Sequence, residues 1–72
     1  MRLDELKIGE AGLVKGLRHE GPRLLRLLEM GLFEGVRVVL VRKAPMGDPL
    51  ELKVGDYHLS LRAEDANLVD LE

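Results

Sequence analysis

Few residues of this chain are hydroxyl or thiol nucleophiles or imidazoles. Its 72 residues include one serine (Ser60), two histidines (His19 and His58), and neither cysteine nor threonine. A hydrolytic dyad needs about 2.6–3.2 Å between the heavy atoms of nucleophile and base. In "YHLSLR", residues 57–62, His58 and Ser60 are two positions apart on a strand pattern. That spacing puts both on one face with Cα atoms ~6.5–7 Å apart, too far for a dyad. His58 and Asp56 form a weak metal-ligand pair on that face, but the hairpin register sets Lys53 directly opposite His58, and an ammonium there opposes a divalent cation. His19 lies in a separate loop beside Glu20 and Gly21. Two histidines without thiolates do not make a structural zinc set. Solvated surface histidines are the simpler reading, and neither a metal site nor a cofactor is expected.

Three glycine-containing stretches invite a phosphate or helix-pairing reading. A phosphate loop presents glycine-rich backbone N–H groups and a Lys or Ser/Thr at the start of the following helix. "APMGDP", residues 44–49, has two prolines that each remove an N–H, an acid at Asp48, and a strand after it. Pro45 and Pro49 push Ala44 and Asp48 into the extended region. Gly47 frees the tip, and Asp48 can fold its side chain back on the backbone. The stretch is a shaped corner between strands. "GEAG" at 9–12 carries Glu10, which repels phosphate, and "GLFEG" at 31–35 is a helix stop followed by a turn.

Composition excludes further classes. Net charge is −2, with 11 basic and 13 acidic residues interspersed, and there is one Phe, one Tyr and no Trp. Nucleic-acid modules show a basic face and stacking aromatics, so no nucleic-acid partner is expected. Apolar residues make up 46% and charged residues 33%, a folded rather than disordered profile. No apolar run approaches the ~20 residues that span a bilayer. "MRLDELKIGE" has no secretory h-region, which implies the cytoplasm. The length implies a single domain, residues 1–72, with a thin core.

The elements that hold these side chains follow from spacing and turn chemistry. Leu3, Leu6, Gly9 and Gly12 read as an extended lead-in with a turn, and residues 13–18 as a first strand kinked or bulged at Gly16. A single helix is expected over about residues 22–30. Pro22 suits its first turn, Glu20 stands ahead of its positive end, and Gly31 caps it. On a helical wheel Leu24, Leu25 and Leu28 share the face that should dock on the sheet, with Leu27 on the flank and Arg26 and Met30 opposite. Residues 36–43 read as a strand apolar on both faces. "LELKV" and "YHLSLR" alternate around the two-residue turn "GD", so Leu50, Leu52, Val54, Tyr57, Leu59 and Leu61 face inward. "AEDA" at 63–66 is a tight helical turn and "NLVDL" the last strand. Five short strands and one short helix indicate a mainly β fold, a small barrel.

The stretch from Arg26 to the C-terminus resembles the FeoA family, the small cytosolic partner of the bacterial ferrous-iron transporter FeoB. The family pattern runs Arg-Leu-Leu-x-Leu/Met-Gly-Leu-x-Pro-Gly, an apolar strand, Ala-Pro-Leu-Gly-Asp-Pro, then a strand pair ending Leu-x-Leu-Arg. Here Arg26 to Gly31, Leu32 to Gly35, Ala44 to Pro49 and Leu59 to Arg62 match it, and Gly31, Gly35, Pro45, Gly47, Asp48 and Pro49 are its structural positions. Glu34 departs from the usual proline. The resemblance implies a five-stranded SH3-like barrel with the helix inserted between its first two strands. It also implies a non-enzymatic adaptor in ferrous iron uptake, in contact with the cytosolic GTP-binding region of FeoB and reaching the membrane only through it. Leu27, Met30, Phe33 and Arg26 are the expected partner-binding residues: Leu27 lies on the flank of the wheel, Met30 faces away from the leucine stripe, Phe33 sits in the turn just after it, and the charged Arg26 lies beside them. On that reading Leu27→Gln abolishes partner binding and spares the fold. The alternative is an iron- or metal-responsive SH3-like module, like the one that closes DtxR-type repressors, binding a transition metal directly. A weak homo-oligomer through hairpin or C-terminal strand edges is also open.

Overall fold

The computed structural model describes residues 1–18 and 21–72. His19, the loop histidine, and Glu20, the charge expected ahead of the helix, lie outside the described residues. Strand β1 (Ala11–Leu17) leads to helix α1 (Pro22–Glu29), then to strands β2 (Arg37–Lys43), β3 (Leu50–Val54) and β4 (Tyr57–Leu61). A one-turn helix α2 (Ala63–Ala66) and strand β5 (Val69–Leu71) complete the chain. The strands form one antiparallel sheet in the order β4-β3-β2-β1-β5. This is the mainly β architecture expected, with the short helix between the first two strands.

The tight β3–β4 turn fixes its register. Val54 opposes Tyr57, Lys53 opposes His58, Leu52 opposes Leu59 and Leu50 opposes Leu61. Register shifts interrupt β1 between Val14 and Gly16 and β2 between Leu40 and Arg42. Such bulges bend strands and let a short sheet curl over its own apolar face. Inside the curve Val14, Val38, Leu40, Leu52 and Val69 are fully buried.

Both ends of the chain help to close the sheet. The outer edge of β5 is covered by the N-terminus: the Leu71 N–H donates to the Met1 carbonyl at 2.6 Å, and Arg2 bridges to Asp70. Residues 3–12 are not simply extended. Leu3–Glu5 close a 3₁₀ turn in which the Glu5 N–H donates to the Arg2 carbonyl at 3.0 Å while the Glu5 carboxylate accepts the Arg2 N–H at 2.5 Å, and this turn buries Leu3 and Leu6. Strand β2 also departs from expectation. Val38 and Leu40 are buried but Val41 is 45% exposed, so nothing among the described residues covers its outer face as a second layer would.

The β2–β3 corner is tied within itself and to a distant element. The Ala44 N–H donates to the Pro49 carbonyl at 3.0 Å and the Gly47 N–H to the Ala44 carbonyl at 2.7 Å. Asp48 does not fold back on its own loop. Its Oδ1 accepts the Ala63 N–H at 2.9 Å, at the start of α2, and its Oδ2 lies 3.5 Å from Arg62 Nε. A carboxylate is favoured at a helix start because the first N–H groups have no partner inside the helix. Asp48→Ala should therefore cost about 1 kcal/mol, the usual value of a lost cap. Asp48→Asn keeps an acceptor and should cost a few tenths; urea denaturation of the two variants checks the difference.

Candidate functional site

The helix region is held in place by contacts that come from elsewhere in the chain. Met30 ends α1, and Gly31 follows it at φ +95°, in the left-handed region that favours glycine. The Gly31 N–H donates to the Leu28 carbonyl at 2.9 Å and the Leu32 N–H to the Leu27 carbonyl at 3.1 Å. These two bonds make a Schellman cap, in which the side chains at the Leu27 and Leu32 positions normally touch. Both are buried here, at 1% and 0% exposure. Tyr57, on the β3–β4 hairpin, donates its hydroxyl to the Met30 carbonyl. At the other end Arg23 Nε lies 3.2 Å from Oδ1 of Asp65, a buried residue on α2, and Arg23 Nη2 lies 3.8 Å from Glu64. The Arg23–Asp65 approach is out of line for a hydrogen bond, so the pair acts through charge alone.

These ties set the rotation of the helix, and they correct the wheel reading. Leu27 is a core residue rather than a flanking one, while Leu25 is 60% exposed and Leu28 39%. The inward face is turned by about one residue step, ~100°, from the leucine stripe. Leu27 therefore cannot present a contact surface, and Leu27→Gln would bury an amide in the core. Met30 is half-buried against that core, and Arg26 is exposed with no ion-pair partner among the described residues. Phe33 lies beyond the cap and is 54% exposed. The apolar groups offered to solvent by this region are thus Leu25, Leu28 and Phe33. The spacing Leu27–Gly31–Leu32 carried the signal for the true inward face, because it is the pattern of a Schellman cap with its apolar contact.

Of the remaining candidate side chains, His58 and Ser60 lie on β4 and Asp56 in the β3–β4 turn. A depression of about 300 Å³ is lined by Val41, Glu51, Leu52, His58, Leu59 and Ser60. His58 and Ser60 occupy alternate positions of β4, each opposite a β3 residue, Lys53 and Glu51. The Glu51 carboxylate is engaged by Arg42, at 2.8 Å to Nε and 3.3 Å to Nη2. Among the described residues no three His, Cys, Asp or Glu side chains gather closely enough to hold a metal ion, so His58 and Asp56 are not joined by a third ligand. No helix among the described residues is long and apolar enough to cross a membrane.

Comparison with known proteins places these features in context. A model of the FeoA domain matches residues 1–72. The chain is 38% identical, over its full length, to a Porphyromonas gingivalis protein in which Fe(2+) transport protein A is fused to the Fe(2+) transporter FeoB; it spans 8% of that protein. Iron(II) transport protein A of Clostridium thermocellum superposes with a TM-score of 0.95 at 33% identity, covering all of this chain and 44% of that one. FeoA of Stenotrophomonas maltophilia, solved with zinc and described as a prokaryotic SH3 domain protein, superposes with a TM-score of 0.87 at 30% identity. That match covers all of this chain and 89% of the other.

Proposed function

Because the chain belongs to the FeoA domain family, we propose that it is a non-enzymatic cytoplasmic adaptor in ferrous iron uptake that acts by contact with the cytosolic GTP-binding region of FeoB. The observation that carries this reading is the relative in which the two proteins form one polypeptide, since fusion holds the partners together at a fixed high local concentration. The adaptor is an SH3-like domain whose contact surface is built from Leu25, Leu28 and Phe33, with Arg26 and Met30 beside them. Exposed apolar groups clustered on a small domain mark contact sites, and an aromatic with a neighbouring arginine is the composition of an interface centre. Leu25 and Leu28, three residues apart, share one side of α1, so a partner could engage both at once.

The test is a pull-down of the cognate FeoB GTP-binding region, with and without nucleotide, by this chain and by Leu25→Glu/Phe33→Glu. Both substituted side chains are exposed, so the variant should keep its circular dichroism spectrum and melting temperature. Retention should fall at least about tenfold, as expected for losing apolar anchors worth ~1–2 kcal/mol each. Undiminished retention would remove the helix region as the contact surface. No retention by the unsubstituted chain would remove the adaptor reading itself. The metal-responsive alternative has less support, because Lys53 stands across from His58 and no ligand cluster surrounds it among the described residues. Anaerobic titration calorimetry with ferrous ion tests it directly, and tight stoichiometric binding lost in His58→Ala would favour it.

A further inference from the structure

The two edges of the sheet are treated differently. The β5 edge is covered by Met1 and Arg2, whereas β4 is the terminal strand on the other side and pairs, among the described residues, only with β3. A two-residue turn makes Val54 and Tyr57 the closing, hydrogen-bonded pair, and such pairs alternate along an antiparallel ladder. Lys53–His58 and Glu51–Ser60 are then the non-bonded pairs, so the backbone N–H and C=O of His58 and Ser60 point away from β3. Among the described residues no hydrogen bond reaches them. Exposed edges are normally blunted with a lysine, a proline or a bulge. "YHLSL" has no lysine or proline, and its register against β3 is unbroken.

We propose that this edge is the site of self-association: two copies of the chain pair antiparallel through β4 about a two-fold axis at Leu59. The occupant is chosen by how the edge complements itself. With Leu59 opposite Leu59 of the second copy, His58 opposes Ser60 and the free backbone groups of both are satisfied in both directions. Tyr57 opposes Leu61, so the half-buried Leu59 and the 47% exposed Tyr57 both gain apolar neighbours on the inner face. Just beyond the ends of the strand, the turn residue Asp56 comes next to Arg62 of the second copy, which also lies 3.5 Å from its own Asp48, an opposite-charge contact that the symmetry makes twice. Shifting by two residues one way sets His58 against His58 and leaves Asp56 opposite Ser60. The shift the other way sets Asp56 opposite Glu64 and His58 opposite Arg62. Charge thus selects one register among those the ladder permits.

Sedimentation equilibrium from micromolar to millimolar chain concentration tests this. The unsubstituted chain should pass from monomer to dimer with rising concentration. Ser60→Pro removes an N–H that points away from β3 and should leave a folded monomer throughout, because proline is tolerated at an edge position of this kind. Asp56→Arg alone, and Arg62→Asp alone, should each weaken the dimer about tenfold, since each converts both attractive pairs to repulsive ones. An equimolar mixture of these two variants restores both pairs between unlike chains and should form a heterodimer tighter than either homodimer. Leu25→Glu/Phe33→Glu should dimerise as the unsubstituted chain does. A chain that stays monomeric at millimolar concentration overturns the proposal. A dimer that survives Ser60→Pro, or a mixture no tighter than its components, overturns it equally.

Discussion

Leu27→Ala should lower the stability of the domain by about 2–5 kcal/mol, the range for truncating a buried leucine to alanine. The side chain is 1% exposed and sits at the junction of helix and sheet, next to the Leu32 position of the cap. A domain of this size has little stability to lose, ~3–5 kcal/mol from a single thin core. The variant should therefore melt at least about 8 °C lower, at about 4–8 °C per kcal/mol, or be largely unfolded at room temperature. The informative control is Leu25→Ala on the same helix. That position is 60% exposed, and the change should stay within about 0.5 kcal/mol of the unsubstituted chain. Thermal denaturation of the pair decides which leucine faces the core. Equal melting temperatures for the two variants would contradict the rotation of α1 described above.

Gly31→Ala should cost about 2–3 kcal/mol, from two sources. A β-carbon at a left-handed position is strained by ~1–2 kcal/mol. It would also collide with the Tyr57 hydroxyl, which must leave the Met30 carbonyl and forfeit a hydrogen bond of about 0.5–1.5 kcal/mol. Tyr57→Phe alone removes only that bond and should cost ~1 kcal/mol. Because both changes break the same contact, the double variant should be less destabilised than the sum of the singles. Strict additivity in urea denaturation would show that the glycine is needed for its backbone alone.

Local rules made the hairpin readable from the sequence. A two-residue turn leaves no freedom of register, so the pairing of Leu50, Leu52 and Val54 with Leu61, Leu59 and Tyr57 followed from "GD" alone. Pro22 and Gly31 likewise bracketed the helix. The rotation of that helix was not readable, because it is set by Tyr57, Asp65 and Leu32, none of which belongs to it. A wheel weighs only the helix's own residues, and here four leucines left the inward side ambiguous. Asp48 was misread for a related reason. Its corner was recognisable, but the acceptor it supplies serves Ala63, fifteen residues away in sequence. The candidate surface moved accordingly: Phe33 was legible as exposed, Leu25 and Leu28 were placed inside, and Leu27 was placed at the surface.

The cover that Met1 and Arg2 place over β5 also has a consequence in time. The first residues of the chain pair with Asp70 and Leu71, and β1 itself lies between β2 and β5. A ribosome makes residues in order, at about 5–20 per second. The opening strand is thus synthesised early but cannot have both neighbours until the last one has emerged. Contacts between sequence-distant strands also form more slowly than local ones. The domain should fold as a late, all-at-once event after its final strand clears the exit tunnel. Until then the turn that carries Leu3 and Leu6 lacks α2 and β5, the elements it packs against.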